Sequence, residues 1–419
     1  MLRQIEGSRA IAETVALCRP EVVCAYPISP QTHIIEAVGV MVKSGELEHC
    51  EFINVESEFA AMSVSIGASA AGARAYTATA SQGLLFMLEA VYNASGLGLP
   101  IVMTLANRAI GAPINIWNDH SDAMAARDSG WIQLFAETNQ EAADLHVQAF
   151  RLAEELSVPV MVCMDGFILT HAVEGVDILE QSQVDAYLPP YEPRQVVDPA
   201  APVSIGAMVG PEAFEEVRYL AHLRQLDALA LIPELAREFE AMSARDSGGL
   251  VRAYRTEDAD TIVVALGSVL GTIKDAVDVR RAAGERIGVL GVTTFRPFPK
   301  EAVRDALARA SRVIVLEKAF SLGAEGVLYT DVAMATRGID ISLTNVVAGL
   351  GGRAITRSSL EALFADAARG DVAPLTFLDL ERDVVDRERE RMAAVRRSGP
   401  SAENVLRDLR RHTSAKEPS

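Results

Sequence analysis

"NVESEFAAMSVSIGASAAGARAYTATASQG", residues 54–83, decides the fold. It begins at the end of an apolar strand, passes through a helix-length run of small residues, and enters a second apolar strand, "ARAYTATA" (73–80). Strand, helix and strand in such close succession form the crossover unit of an α/β protein with a parallel sheet. Eleven of the fourteen residues from Ala60 to Ala73 are Ala, Ser or Gly, so this helix approaches its neighbours closely and leaves its start little solvent. Glu58 sits at that start. A buried carboxylate is costly unless something offsets its desolvation. Two readings stay open. Ser57 caps the helix with Glu58 favoured by the positive end of the dipole, or Glu58 faces a ligand.

The same alternation runs on both sides. "EVVCAYP" (21–27), "CEFINVE" (50–56), "PIVMTLAN" (100–107), "GWIQLFA" (130–136) and "VPVMVCMD" (158–165) read as strands. "NQEAADLHVQAFRLAEEL" (139–156) reads as an amphipathic helix with Asn139 as its N-cap. Strands that are apolar throughout imply a sheet covered on both faces, whose ligands bind at the carboxyl ends of the strands. Residues 187–202 are proline-rich, and a long helical stretch follows them. A second α/β unit is read from "DTIVVALGS" (260–268), "RIGVLGVTTF" (286–295), "RVIVLEKA" (312–319) and "DISLTNVVAG" (340–349). The expected organisation is residues 1–178 as one domain, 179–254 as linker and bracing helices, 255–378 as a second domain, and 379–419 as a charged helical tail. The fold class is α/β, with two doubly wound parallel-sheet domains.

The 419 residues are 49% hydrophobic, more than one core usually holds. A formal charge of −18 excludes nucleic acid or an anionic membrane as the natural partner. No apolar stretch approaches the roughly 20 residues that span a bilayer. The opening "MLRQIEGSRAIAETVALC" is helix-like and lacks the basic start of a cleavable signal, which points to the cytoplasm. Cys18, Cys24, Cys50 and Cys163 have neither zinc nor iron–sulfur spacing and read as small buried hydrophobes.

Three strand-end loops carry candidate chemistry. In "AYPISPQTHIIE" (25–36), the Ser29 hydroxyl either caps the next helix or faces a ligand. In "NRAIGAPINIWNDHSD" (107–122), Arg108 can clamp a carboxylate with two parallel bonds. Asn118, Asp119, His120 and Asp122 crowd the end of the same loop. Three ligands this close in one loop are no recognised metal cage, so a hydrogen-bonded clamp is expected there and no metal site is read in the chain.

Together these motifs, with "MDGFILTH" (164–171), "GSVLGTIKDAV" (267–277), "FRPFP" (295–299), "LEKAFSLGAEG" (316–326) and "GLGGRAIT" (349–356), resemble the alpha subunit of 2-oxoacid:ferredoxin oxidoreductases of the pyruvate synthase type. The resemblance runs in order from about residue 5 to about 375. It implies a pyrimidine-binding domain of thiamine enzymes followed by a transketolase C-terminal-like domain. It also implies that Glu58 bonds N1′ of the thiamine diphosphate aminopyrimidine, favouring the tautomer that takes the proton from thiazolium C2. Tyr26, Pro27, Ile28, Ser81 and Gln82 would line the same cofactor, and Arg108 and Ser29 would bind the 2-oxoacid.

Ser29 stands where the family more often has Thr, which enlarges the pocket by about one CH₂ and leaves the substrate open. Pyruvate is the default. Leu85 and Phe86 keep an aryl 2-oxoacid, such as phenylglyoxylate or indolepyruvate, as the alternative, and a non-oxidative transketolase-like half is a remoter one. The chain has no GDG motif for a diphosphate and no cluster cysteines. A beta subunit is therefore expected to hold the diphosphate and Mg²⁺, a ferredoxin-like subunit the [4Fe-4S] clusters, with a gamma subunit and, for NAD as acceptor, a flavin subunit. Coenzyme A would take the acyl group.

Overall fold

The computed structural model describes residues 2–416. Its first sheet has seven strands in the order Thr294–Arg296, Ile132–Phe135, Val160–Asp165, Val102–Asn107, Ala75–Thr79, Val22–Ala25 and Glu51–Asn54. All neighbours are parallel except the first pair, so one antiparallel strand closes an otherwise parallel sheet. The strands at its centre are buried along their whole length because helices cover both faces. On one face Ile11, Val15, Ile34, Val38 and Phe150 pack into a core. On the other, Met62, Leu84, Val91, Trp131 and Phe295 share a core with Val264, Leu290 and Leu328 of the second unit.

That second unit is a six-stranded sheet in the order Leu375–Phe377, Ser342–Val347, Arg312–Glu317, Thr261–Ala265, Ile287–Val292 and Val251–Tyr254. Only its last pair is antiparallel. Both units are therefore α/β with largely parallel sheets, and one apolar layer joins them.

Four details differ from the sequence reading. Residues Leu2–Glu6 form a strand rather than part of a helix, pairing antiparallel with Val173–Asp177, a partner too distant in sequence to leave a local signal. The run 286–295 is not one strand. Ile287–Val292 belongs to the second sheet, and Thr294–Arg296 crosses to the edge of the first. The helix Asn139–Leu156 is capped by Thr138, whose side chain accepts from the Glu141 N–H at 3.1 Å, and not by Asn139. The charged C-terminal stretch makes two helices, Arg382–Ala394 and Ser401–Lys416, joined by Asn404 Nδ2 donating to Glu388 Oε1 (3.1 Å) and an Arg391–Asp408 ion pair at 2.9 Å. Residues 417–419 of that stretch lie outside the described residues.

One buried charge cluster pins the two units together. Asp165, at the carboxyl end of its strand, meets Lys318 Nζ at 2.9 Å and His120 Nε2 at 2.6 Å, and it accepts from the Ser268 N–H at 3.1 Å. Asp165 and Lys318 are 1% and 3% exposed. Burial alone would raise the Asp165 pKa, but Lys318, His120 and Ser268 outweigh it and hold the carboxyl below the usual range. Removing one member of such a pair strands a charge away from water. Asp165→Asn is therefore expected to destabilise the protein by about 3 kcal/mol or more in chemical denaturation. A depressed pKa contributes stability above the unfolded carboxylate value of about 4 and loses it as pH falls through the folded one. The Asn variant should accordingly show a shallower loss on acidification below about pH 4. Equal stability and an equal acid slope in the two proteins would show that the clamp contributes nothing.

Candidate active site

Parallel pairing brings the carboxyl ends of five strands to one edge of the first sheet. The strand order sets Glu58, Tyr26–Ser29, Ser81–Gln82, Arg108 and Asp165 along it. Gln31 ties the middle of this edge together, its Nε2 donating to the Tyr26 carbonyl at 3.1 Å and the Ala78 carbonyl at 2.8 Å.

Glu58 opens the helix Glu58–Ala70, and Ser57 is its cap, accepting from the Ala60 N–H at 3.2 Å. The cap reading of Ser57 is therefore correct, and it leaves the Glu58 carboxylate unexplained. Glu58 is 8% exposed, yet among the described residues none donates to its carboxylate and no cation pairs with it. Its position is set by close packing. A methyl group on Gly83 would lie 2.8 Å from Glu58 Oε1 and 2.5 Å from Thr79 Oγ1, so only glycine lets the helix Ser81–Phe86 come this near. Thr79 Oγ1 is itself buried and has no hydrogen-bond partner among the described residues. On the solvent side, Phe59 and Phe86 face each other with ring centroids 6.5 Å apart, and both are exposed.

Arg108 is 6% exposed, and its side chain bonds only backbone carbonyls: Nη1 to Ser29 O at 2.9 Å and Nε to Asn115 O at 3.3 Å. Among the described residues no carboxylate forms an ion pair with it. Burial lowers its pKa, with the Asp122 charge opposing. A desolvated guanidinium with no paired anion among the described residues suits an anionic ligand. Ser29 does not cap the following helix, whose N-cap is Gln31, so its hydroxyl is left exposed beside Arg108.

A hydrogen-bonded clamp holds the 107–122 loop. The Asp122 carboxylate accepts from the N–H groups of Ser81 (3.0 Å), Arg108 (2.9 Å) and Ala123 (2.8 Å) and from Asn107 Nδ2 (2.9 Å). Burial pushes its pKa up to about 7 against those four donors. Asp119 accepts from the N–H groups of Ser121 and Gly351, and His120 turns to Asp165. Asn118 is 2% exposed at the same turn. Asn115 Nδ2 donates to the Gly351 carbonyl at 3.1 Å, so the glycine turn 349–353 of the second unit seats the stretch that holds Arg108. Side chains there would collide: a Cβ on Gly352, at φ +80°, would meet Trp117 Cβ at 2.4 Å. Ser81 is fully buried, its hydroxyl bonded to the Ala109 carbonyl and to Gln82, whose Nε2 reaches the Gly111 carbonyl at 3.3 Å. Both residues thus hold the loop from its other side. Gly83, Asn115 and Gly351 were missed from sequence; "SQG" directly after a strand was the one local signal.

Two family models match the chain: pyruvate flavodoxin/ferredoxin oxidoreductase, thiamine diphosphate-binding, over residues 13–234, and the pyruvate:ferredoxin oxidoreductase core domain II over residues 259–360. The pyruvate synthase subunit PorA of Methanosarcina barkeri is 47% identical over 91% of this chain and 97% of that subunit. The chain belongs to the pyruvate:ferredoxin oxidoreductase family. Like its PorA relatives it is an alpha-type subunit of a 2-oxoacid:acceptor oxidoreductase. The ketoisovalerate oxidoreductase subunit VorA of Pyrococcus abyssi is 40% identical over 86% of this chain and 92% of that subunit. The fold is also that of a 2-oxoglutarate:ferredoxin oxidoreductase from Magnetococcus marinus, solved with 2-oxoglutarate, coenzyme A and succinyl-CoA bound (TM-score 0.68, 20% identity, 87% of this chain and 65% of that one). A split-gene transketolase shares it more loosely, with TM-score 0.52 at 14% identity over 88% of this chain and 99% of that one. Among the described residues no helix is long and apolar enough to cross a membrane.

The packing around Gly83 gives a direct test within this family. In Gly83→Ala the added methyl would lie 2.5 Å from the buried Thr79 Oγ1 and 2.8 Å from Glu58 Oε1, so the helix Ser81–Phe86 and the Glu58 carboxylate must both shift. A misplacement near 1 Å costs on the order of a hundredfold in rate. The variant complex should lose about tenfold or more in 2-oxoacid turnover, with a lower melting temperature as the helix is displaced. Full turnover would mean that the Glu58 position is not set by this contact.

Proposed function

We propose that this chain supplies the pyrimidine side of a thiamine diphosphate site in a cytoplasmic complex that oxidatively decarboxylates pyruvate with coenzyme A. The observation that carries this reading is Glu58, 8% exposed and without a donor among the described residues. The residues fit the cofactor: an unpartnered buried acid, a partnerless Thr79 hydroxyl beside it, and a glycine that keeps the space between them open. When bound, thiamine diphosphate supplies the carbanion chemistry that breaks the bond beside a 2-oxo carbon.

The protein's own work is proton placement and orientation. Glu58 holds a proton at N1′ of the aminopyrimidine, a bond strengthened by the low dielectric around it. The Tyr26–Ile28 backbone and the Ser81–Gln82 turn line the ring. Arg108 binds the substrate carboxylate, and the exposed Ser29 hydroxyl donates to the same group or to the 2-oxo oxygen. Phe59 and Phe86 form an apolar wall that a partner surface covers, excluding water from the reacting centre. The diphosphate, Mg²⁺ and [4Fe-4S] clusters are assigned to partner subunits: a beta subunit, a ferredoxin-like subunit and a gamma subunit, with ferredoxin as acceptor. The 47% identity to a pyruvate synthase subunit, against 40% to a ketoisovalerate oxidoreductase subunit, supports pyruvate over larger 2-oxoacids.

Two variants of the co-purified complex test the assignment by 2-oxoacid-dependent viologen reduction. Glu58→Gln should lower kcat by about a hundredfold or more while the subunits still assemble. Arg108→Ala should act mainly on substrate binding, raising KM for pyruvate by about tenfold to a hundredfold, the worth of one charged hydrogen bond. Normal turnover in the first, or an unchanged KM in the second, would remove that residue from its role.

A further inference from the structure

Three side chains distant in sequence meet at the surface, outside the site described above. Glu6 ends the strand Leu2–Glu6, His33 lies in the first turn of the helix Thr32–Ser44, and His171 follows the turn after Val160–Asp165. His33 Nδ1 lies 2.7 Å from Glu6 Oε1, and the two imidazole centroids are 4.7 Å apart. One ligand atom from each of the three comes within 4.8 Å of the others.

The surroundings hold His171 in place. Its Nδ1 lies 2.7 Å from Thr170 Oγ1, and that hydroxyl accepts from the Phe167 N–H at 2.8 Å. Thr170 is fully buried and fixed in turn, its carbonyl accepting from Ser8 Oγ at 2.7 Å and the Ser8 N–H at 2.8 Å. Phe167 packs against the imidazole with ring centroids 4.8 Å apart. An imidazole that ligates a metal usually has such an outer contact on its second nitrogen, which sets the ring's orientation.

We propose that Glu6, His33 and His171 bind a divalent transition-metal ion of the zinc class, two imidazole nitrogens and one carboxylate oxygen being three of its ligands and water the rest. Imidazole with a single carboxylate suits zinc and its transition-metal neighbours, whereas magnesium and calcium require oxygen ligands throughout. The ion would take the place of the proton shared by His33 and Glu6. Because its ligands come from three separate segments, it would tie the first strand to the segment that carries Ser29 and to the turn beyond Asp165.

The test needs no turnover. The tag-free full-length chain, stripped with a chelator, is titrated with Co²⁺ by visible absorption and with Zn²⁺ by calorimetry. One equivalent should bind, Co²⁺ should develop visible d–d bands, and Zn²⁺ should raise the melting temperature, while Mg²⁺ does none of these. The double variant His33→Ala/His171→Ala should bind Zn²⁺ at least about tenfold more weakly and lose the thermal shift. Neither side chain is in the core, so the metal-free variant should match the wild type in circular dichroism and melting, which separates ligand loss from misfolding. The variant retains His49, His120, His146, His222 and His412. Undiminished binding in it would place the ion elsewhere, and the absence of Co²⁺ bands in the wild type would equally overturn the assignment.

Discussion

The desolvation of one carboxylate is the constraint around which the first domain is organised. An ionised acid removed from water with no donor is unstable by several kcal/mol unless a ligand completes it. Glu58 is a largely buried residue whose carboxylate has no donor among the described residues, and the residues around it are selected for closeness rather than for compensation. Ser57 spends its side chain on the helix end. Ala61, Ser65 and Ser69 let the helix lie against the strands Val22–Ala25 and Ala75–Thr79. Gly83 brings in the next helix without adding an atom. None of these neighbours offers the carboxylate a proton, so the chain by itself is incomplete at this point.

Arg108 states the same incompleteness with the opposite sign. Its guanidinium is buried against two carbonyls and pairs with no acid among the described residues. Its geometry is set by groups far from it in sequence. Asp122 gathers the start of the loop, and Asn115 is seated on the glycine turn of the second unit. The Asp165–Lys318 pair fixes the two units at the same edge. The second domain therefore acts on the site through position, by holding the loop that carries the arginine, without lending it a ligand group.

Much of this was legible in the sequence, for identifiable reasons. Strands buried on both faces announce themselves as continuous apolar runs, and "VPVMVCMD" and "PIVMTLAN" became the central strands. The small-residue run singled out Glu58 because composition there is extreme. What stayed hidden depends on contacts that sequence spacing does not encode. Leu2–Glu6 gains strand structure only from residues more than 160 positions away. The break between Val292 and Thr294 is imposed by two sheets competing for one run. The Ser29 hydroxyl reads from sequence as a helix cap or a ligand-facing donor, and the three-dimensional fold puts Gln31 at the cap. Asp165 and Lys318, and likewise Glu6, His33 and His171, meet only because the topology returns distant turns to the same edge.

The most direct test is a structure of the assembled complex with thiamine diphosphate bound. The account requires a Glu58 carboxylate oxygen within hydrogen-bonding distance, about 2.6–2.9 Å, of the pyrimidine N1′. A cofactor bound with its pyrimidine against another acid, or Glu58 satisfied by a partner's cation, would contradict it.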